Sequence, residues 1–89
     1  MSLTLRLDDG TELPYDERKV AEQIYAAQQK VGIDDRALAD EHAGLTTLFL
    51  ESTYGVFLSQ RDLDEMVRKV LFETGHMLTS RAYIENRQL

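Results

Sequence analysis

The residues that could perform chemistry include two histidines, several serines and a few paired carboxylates, and their spacing supports neither catalysis nor metal binding. No second histidine stands three or four residues from His42 or His76, the spacing that would place two metal ligands on one helix face. Ser59 and Ser80 lack the Gly-x-Ser-x-Gly sequence of a nucleophile elbow. Adjacent carboxylates, such as the pair at 34 and 35, point in different directions. We therefore predict that the protein is not an enzyme and holds no metal in a histidine pair, and that both histidines are partly exposed.

Phosphate binding is the remaining chemistry, and Lys19 is the residue best placed for it. Neither of the common glycine-rich phosphate loops occurs in the sequence. Lys19 lies in the first turn of a predicted helix, where the positive end of the helix dipole makes a cation slightly unfavourable. The presence of a lysine at this position favours a role in phosphate binding, although Lys19 is equally well interpreted as an ordinary surface residue. Asp16 is interpreted first as the N-cap of that helix, and Tyr15 as packed under the preceding strands.

Composition limits the class of protein. The chain has 89 residues, a formal charge of −6 and no cysteine, with 43% hydrophobic and 29% charged residues. This balance is typical of a globular domain without disulfides, and the acidic charge disfavours direct binding of nucleic acid. No apolar run approaches the roughly 20 residues of a membrane span, and the N-terminus lacks a signal segment. We expect a single domain over residues 1–89, located in the cytoplasm and not bound to a membrane.

The N-terminal elements are a hairpin and a helix. Leucines alternate with polar residues from Leu3 to Leu7, the pattern of a strand with one buried face. Asp9-Gly10 predicts a two-residue type I′ turn, and Pro14 ends the second strand. A helix from Glu17 to about Lys30 follows, with apolar residues on one face.

The remaining chain alternates helices with one short strand. A second helix begins after Asp34 or Asp35, and its predicted buried face contains Leu38, Leu45, Leu48, Phe49 and Ser52. The segment Val56-Phe57-Leu58 predicts a third strand. Ser59 and Asp62 resemble a capping box at the start of a third helix, and a fourth helix ends near Arg87. The predicted fold is α+β, with four helices covered by a three-stranded sheet made of the hairpin and this strand.

Two segments resemble the ATP-cone domain. The sequence from Asp9 to Val20, Asp-Gly-Thr-Glu-Leu-Pro-Tyr-Asp-Glu-Arg-Lys-Val, is similar to the family's opening pattern of Asp-Gly, an aromatic-Asp pair and a lysine that starts a helix. Near the other end, Ala82-Tyr83-Ile84 and Arg87 are similar to its closing helices. The likeness covers nearly the whole chain.

The resemblance implies a regulatory domain without catalytic activity, of the kind found in ribonucleotide reductases and their transcriptional repressor. The implied ligand is ATP or dATP, with or without magnesium. Lys19 matches the family's helix-start lysine, and Arg6, Arg18 and Asp16 are further candidate nucleotide contacts. The implied partners are a second copy, a ribonucleotide-reductase-like protein or a downstream domain, whose activity or oligomeric state the module would control.

The chain departs from the family pattern at two positions. Where Lys-Arg commonly precedes Asp-Gly, this chain has Leu7 and Asp8. Hydrogen bonds to charged groups contribute roughly 1.5 to 3 kcal/mol each, so losing two predicts nucleotide binding weaker by roughly a hundredfold or more. Two hypotheses follow. The domain binds an adenine nucleotide between the hairpin and the first helix, or it is a cone that has lost its ligand and serves in protein interaction or dimerisation.

Overall fold

A computed structural model describes residues 3–87 of the protein and shows a small three-stranded sheet formed by the N-terminal hairpin and one strand from the middle of the chain. Strand β1 (Thr4–Arg6) pairs antiparallel with β2 (Glu12–Pro14) and parallel with β3 (Phe57–Ser59), so the strand order is β2-β1-β3. In the centre of the sheet, Leu5 lies between Leu13 and Leu58. The α+β prediction and the third strand are confirmed, with β3 one residue later than expected.

The hairpin turn differs from the predicted type I′ turn. The Gly10 amide donates to the Leu7 carbonyl at 2.9 Å, and the Leu7 amide donates to the Thr11 carbonyl at 2.8 Å. Gly10 alone has a positive φ in this turn, at 89°, because Asp8 and Asp9 occupy the central positions with ordinary backbone angles. The Asp9 carboxylate also accepts from the Thr11 amide at 2.9 Å. The loop is therefore a three-residue connection in which glycine follows the turn proper.

Each of the first three helices is preceded by an N-cap residue whose side chain accepts a hydrogen bond from a backbone amide of the first turn. Helix α1 (Glu17–Lys30) is capped by Asp16, which confirms the interpretation of this residue as an N-cap. Helix α2 (Arg36–Thr53) is capped by Asp35, and α3 (Gln60–Glu73) by the reciprocal Ser59 and Asp62 box. Helix α4 (Met77–Arg87) follows Gly75, whose φ of 87° suits the residue after a helix end.

The helices share one hydrophobic core. Helix α1 packs against α2 and α4, and α3 packs against the same two helices. Leu3, which directly precedes β1, and Leu58 of β3 contribute to this core, and Tyr83 of α4 is fully buried in it. Within residues 3–87, none of the helices is apolar over enough of its length to cross a bilayer.

The predicted buried face of α2 was wrong. The buried residues are Ala39, His42, Ala43, Thr46 and Leu50, a stripe that repeats every three or four positions. Leu48 and Phe49, which were expected in the core, are 60% and 45% exposed. Alanines at 39 and 43 let the neighbouring helices approach closely, so the larger apolar side chains are left on the outside.

Candidate functional site

A cleft of about 500 Å³ lies between the hairpin and the first turns of α1 and α3. Its size falls in the range of small-molecule sites, roughly 300 to 1,000 Å³. The sheet forms one wall and the two helices form the other. The lining residues are Leu5, Leu7, Leu13, Pro14, Tyr15, Asp16, Lys19, Val20, Gln23, Gln60 and Leu63.

Apolar side chains form most of the surface of the cleft. Leu5 and Leu7 come from one face of the first strand and its extension, because alternate residues of a strand point the same way. Leu13 and Pro14 follow on the second strand, and Leu63 lies opposite on α3. Such walls suit the flat face of a planar or apolar group.

Besides Tyr15, four polar side chains line the cleft. Lys19 and Gln23 are four residues apart on α1, so they share one helix face. Gln60 stands at the start of α3, where its amide nitrogen donates to Asp64 Oδ1 at 2.9 Å. Asp16 uses one carboxylate oxygen to accept from the Arg18 amide at 3.0 Å. Among the described residues around the cleft, Lys19 is the one cation.

The four predicted nucleotide contacts are not brought together as one set. Lys19 and Asp16 line the cleft, whereas Arg6 and Arg18 lie outside the described lining. The Arg6 guanidinium lies 4.0 Å from the centre of the Phe57 ring and pairs with Glu12 at 3.1 Å. Strand alternation directs Arg6 to the face opposite Leu5 and Leu7, as the sequence indicates. The exposed Arg18 contributes its backbone amide to the Asp16 cap.

Two polar lining residues, Gln23 and Gln60, were missed from the sequence. Both are neutral amides with no motif around them. The spacing of Gln23 from Lys19 was the one available signal, since residues four apart lie on the same side of a helix.

Tyr15 lines the same cleft but is fixed by the helical layer. Its hydroxyl shares a hydrogen bond of 2.8 Å with Thr47 Oγ1 of α2, and the ring is half-buried. Burial raises the pKa of the Tyr15 hydroxyl, so the group stays neutral at physiological pH. Tyr15 therefore contributes an uncharged side chain, held by Thr47, to the lining of the cleft.

The histidines form a pair that their sequence spacing did not predict. The rings of His42 and His76 lie 4.8 Å apart in an edge-on arrangement, and His42 Nε2 is 3.3 Å from Thr74 Oγ1. His42 is 3% exposed, so its interpretation as a partly exposed residue was wrong. Residues 3–87 contain no group of three or more histidines, cysteines or carboxylates arranged to hold a metal ion.

The architecture defines a small α+β domain with a ligand-sized cleft between its sheet and its helices. The family model of the ATP cone domain matches residues 6–89, nearly the entire chain, and the protein belongs to this family. ATP cone domains are, in general, regulatory modules that bind adenine nucleotides. A comparison with curated proteins finds no match.

Proposed function

We propose that this domain is a non-catalytic regulatory module that binds an adenine nucleotide in the cleft between the hairpin and α1. Binding would control the activity or oligomeric state of an associated protein, such as a ribonucleotide-reductase-like partner or a domain downstream. The position of Lys19 is the observation that supports this proposal most directly. Its side chain lines a cleft large enough for a nucleotide, and Lys19 lies within residues 6–89, which match the family model.

The cleft offers separate surroundings for the two ends of a nucleotide. Its leucine-rich walls can cover the base. Lys19 lies in the first turn of α1, where its ammonium group and nearby backbone N–H groups favour a phosphate. The unfavourable position of a lysine near the positive end of a helix is offset when an anion binds there.

Calorimetric titration with ATP, dATP and AMP, with and without magnesium, tests the proposal. Lys19→Ala should weaken binding about tenfold to a hundredfold, because it removes a charged hydrogen bond to phosphate. Lys30→Ala is the matched control, since Lys30 lies in the last turn of the same helix and outside the described lining. The absence of both binding heat and thermal stabilisation at millimolar nucleotide would refute the proposal, as would equal effects of the two variants.

A second candidate function is self-association through an apolar surface on the helices. A groove of about 320 Å³ runs between α2 and α3, lined by apolar residues and by two charges of opposite sign. We call this surface the α2–α3 face, and its lining consists of Leu45, Phe49, Thr53, Met66, Lys69, Val70, Glu73 and Thr74. It includes Phe49, which the sequence assigned to the core and the structure leaves exposed.

The charges of the α2–α3 face favour a second copy as the occupant. Lys69 and Glu73 are four residues apart on α3 and both line the groove. A two-fold axis between antiparallel α3 helices would place each Lys69 opposite Glu73 of the other copy, since a symmetric interface is self-complementary. A dimer of this kind would need no nucleotide.

Light scattering over a range of protein concentrations tests the second candidate. Phe49→Asp should give a monomer, whereas Phe72→Asp should not, because Phe72 is similarly exposed and lies outside the groove lining. Lys69→Glu should weaken the dimer, and adding Glu73→Lys should restore it. A wild-type monomer at about 1 mM, where even an interface of about −4 kcal/mol would be populated, would contradict the proposal.

A further inference from the structure

We infer that the cleft prefers a nucleoside monophosphate to a triphosphate, an inference that rests on the proposed nucleotide-binding function. The family resemblance implies ATP or dATP, so a preference for one phosphate would be a property of this chain's own residues. The charges that line the cleft and those in the adjoining hairpin turn favour a ligand with a single phosphate.

The lining supplies one positive charge. Lys19 is balanced by Asp16, and the other residues recorded around the cleft are uncharged. Arg6 is held on the opposite side of the sheet by Phe57 and Glu12. One phosphate can therefore contact an ammonium group, while a second and third would find no further cation among the residues that line the cleft.

The hairpin turn adds negative charge next to the lining. Asp8 and Asp9 follow Leu7, whose side chain lies in the wall. Hydrogen bonds from Thr11 lower the pKa of Asp9, so this carboxylate is ionised at neutral pH. In water, each added unit of negative charge about 10 Å from a carboxylate weakens binding by about twofold.

The rest of the lining suits the nucleoside. Leu5, Leu7 and Leu63 provide apolar walls for a base and sugar. The Gln23 amide, one turn along α1 from Lys19, can donate to and accept from one edge of adenine, as amide side chains do in other complexes with this base.

The test is a calorimetric series of adenosine, AMP, ADP and ATP at low salt without divalent cations, which would neutralise the triphosphate. AMP should bind at least about fourfold more tightly than ATP, which carries about two more negative charges. The difference should shrink as salt is added. AMP should also bind more tightly than adenosine, and Lys19→Ala should remove that advantage.

The outcomes separate this inference from the function on which it rests. Tighter binding of ATP than AMP would overturn the monophosphate preference and leave nucleotide binding intact. Adenosine binding as tightly as AMP would also overturn it, because Lys19 would then hold no phosphate. A series in which no compound binds would overturn both.

Two variants with matched controls test the role of the local charges. Leu7→Lys should increase the affinity for ATP more than for AMP, whereas Leu78→Lys, at a 68% exposed position of α4, should not.

Because Leu7 is half-buried, Asp8→Arg at an exposed turn position provides a second test with less risk to folding. Its control is Asp40→Arg, which makes the same change of charge on the exposed side of α2. An unchanged ratio of AMP to ATP affinity in both cleft variants would overturn the inference.

Discussion

Asp64 is the residue that joins the last helix to the helix beside the cleft. Its Oδ1 accepts from the Tyr83 hydroxyl at 2.9 Å and from Gln60 Nε2 at 2.9 Å, and Arg87 Nε lies 3.3 Å away. The Arg87 contact is an ion pair without the alignment of a hydrogen bond. The sequence indicated that the final helix ends near Arg87, and the structure adds that Tyr83 and Arg87 hold this helix against α3. Gln60 connects this cluster to the cleft lining.

Tyr83→Phe should destabilise the domain by about 1.5 to 3 kcal/mol, because it removes a hydrogen bond to a charged acceptor. Tyr83 is fully buried, and burial raises the pKa of its hydroxyl well above the usual value, so the group acts as a neutral donor at every pH of interest. Urea unfolding followed by circular dichroism measures the change. Tyr25→Phe is the control, since the Tyr25 hydroxyl donates to Asp34 at the surface and should contribute little. Equal effects would show that the Asp64 contact adds no more stability than the surface hydrogen bond of Tyr25.

Stability should fall as the pH is lowered from 7.5 to 5.5, because His42 is buried in its neutral form. Burial, and secondarily the neighbouring His76, lowers the pKa of His42, while Glu41 and Asp35 oppose the shift. The unfolded state therefore takes up a proton at a higher pH than the folded state, and protonation favours unfolding. His42→Gln should flatten the dependence of unfolding free energy on pH in this window, where carboxylates contribute little. Parallel pH profiles for the two proteins would contradict this assignment.

At the scale of elements, the start of α3 depends on a reciprocal pair of short side chains. Ser59 Oγ accepts from the Asp62 amide at 3.0 Å, and Asp62 accepts from the Ser59 amide at 3.0 Å. Ser59→Ala should cost about 1 kcal/mol. Ser52→Ala should cost less, since the exposed Ser52 hydroxyl only donates to a carbonyl of its own helix. Thermal unfolding of both variants measures the difference, and a smaller effect at Ser59 than at Ser52 would contradict the capping role.

The sequence predicted the order of elements because local signals marked each boundary. Asp16 and Ser59 cap helices where expected, and Pro14 is the last residue of β2. The burial of α2 was not predictable in the same way, since helix packing selected the small residues Ala39 and Ala43 for the interior. Large apolar residues identify the buried face of a helix only when another element packs against that face. Which face is covered is decided by the tertiary structure and not by the helix sequence alone.

The candidate site was predictable where a charge or a cap marked it. Lys19 and Asp16 were predicted as candidate nucleotide contacts, and both line the cleft. Arg6 was predicted as well, but its side chain pairs with Glu12 outside the cleft. Gln23 carries no charge and resembles any other polar helix residue. Whether these side chains contact a nucleotide remains a prediction, since a lining position is a matter of geometry and binding is a matter of free energy.

At the scale of the whole molecule, α3 connects the cleft to the α2–α3 face. Leu63 lines the cleft, whereas Met66 and Val70, one and two turns further along the same helix, line the groove against α2. A ligand that shifts or tightens the first turn of α3 would alter the groove through a rigid helix. The two proposed functions are then linked rather than exclusive.

If both sites operate, saturating nucleotide should change the dimerisation constant by about fivefold or more, a typical size for coupling between sites. The coupling is reciprocal, and a dimer carries two clefts, so dimerisation must change the nucleotide dissociation constant of each cleft by the square root of that factor. Sedimentation with and without AMP gives the first factor, and calorimetry on wild type against the Phe49→Asp monomer gives the second. Ser59→Ala, which loosens the first turn of α3, should reduce both factors together. A dimerisation factor that is not the square of the per-cleft factor would contradict the linkage, and factors near one would mean that the cleft and the α2–α3 face act independently.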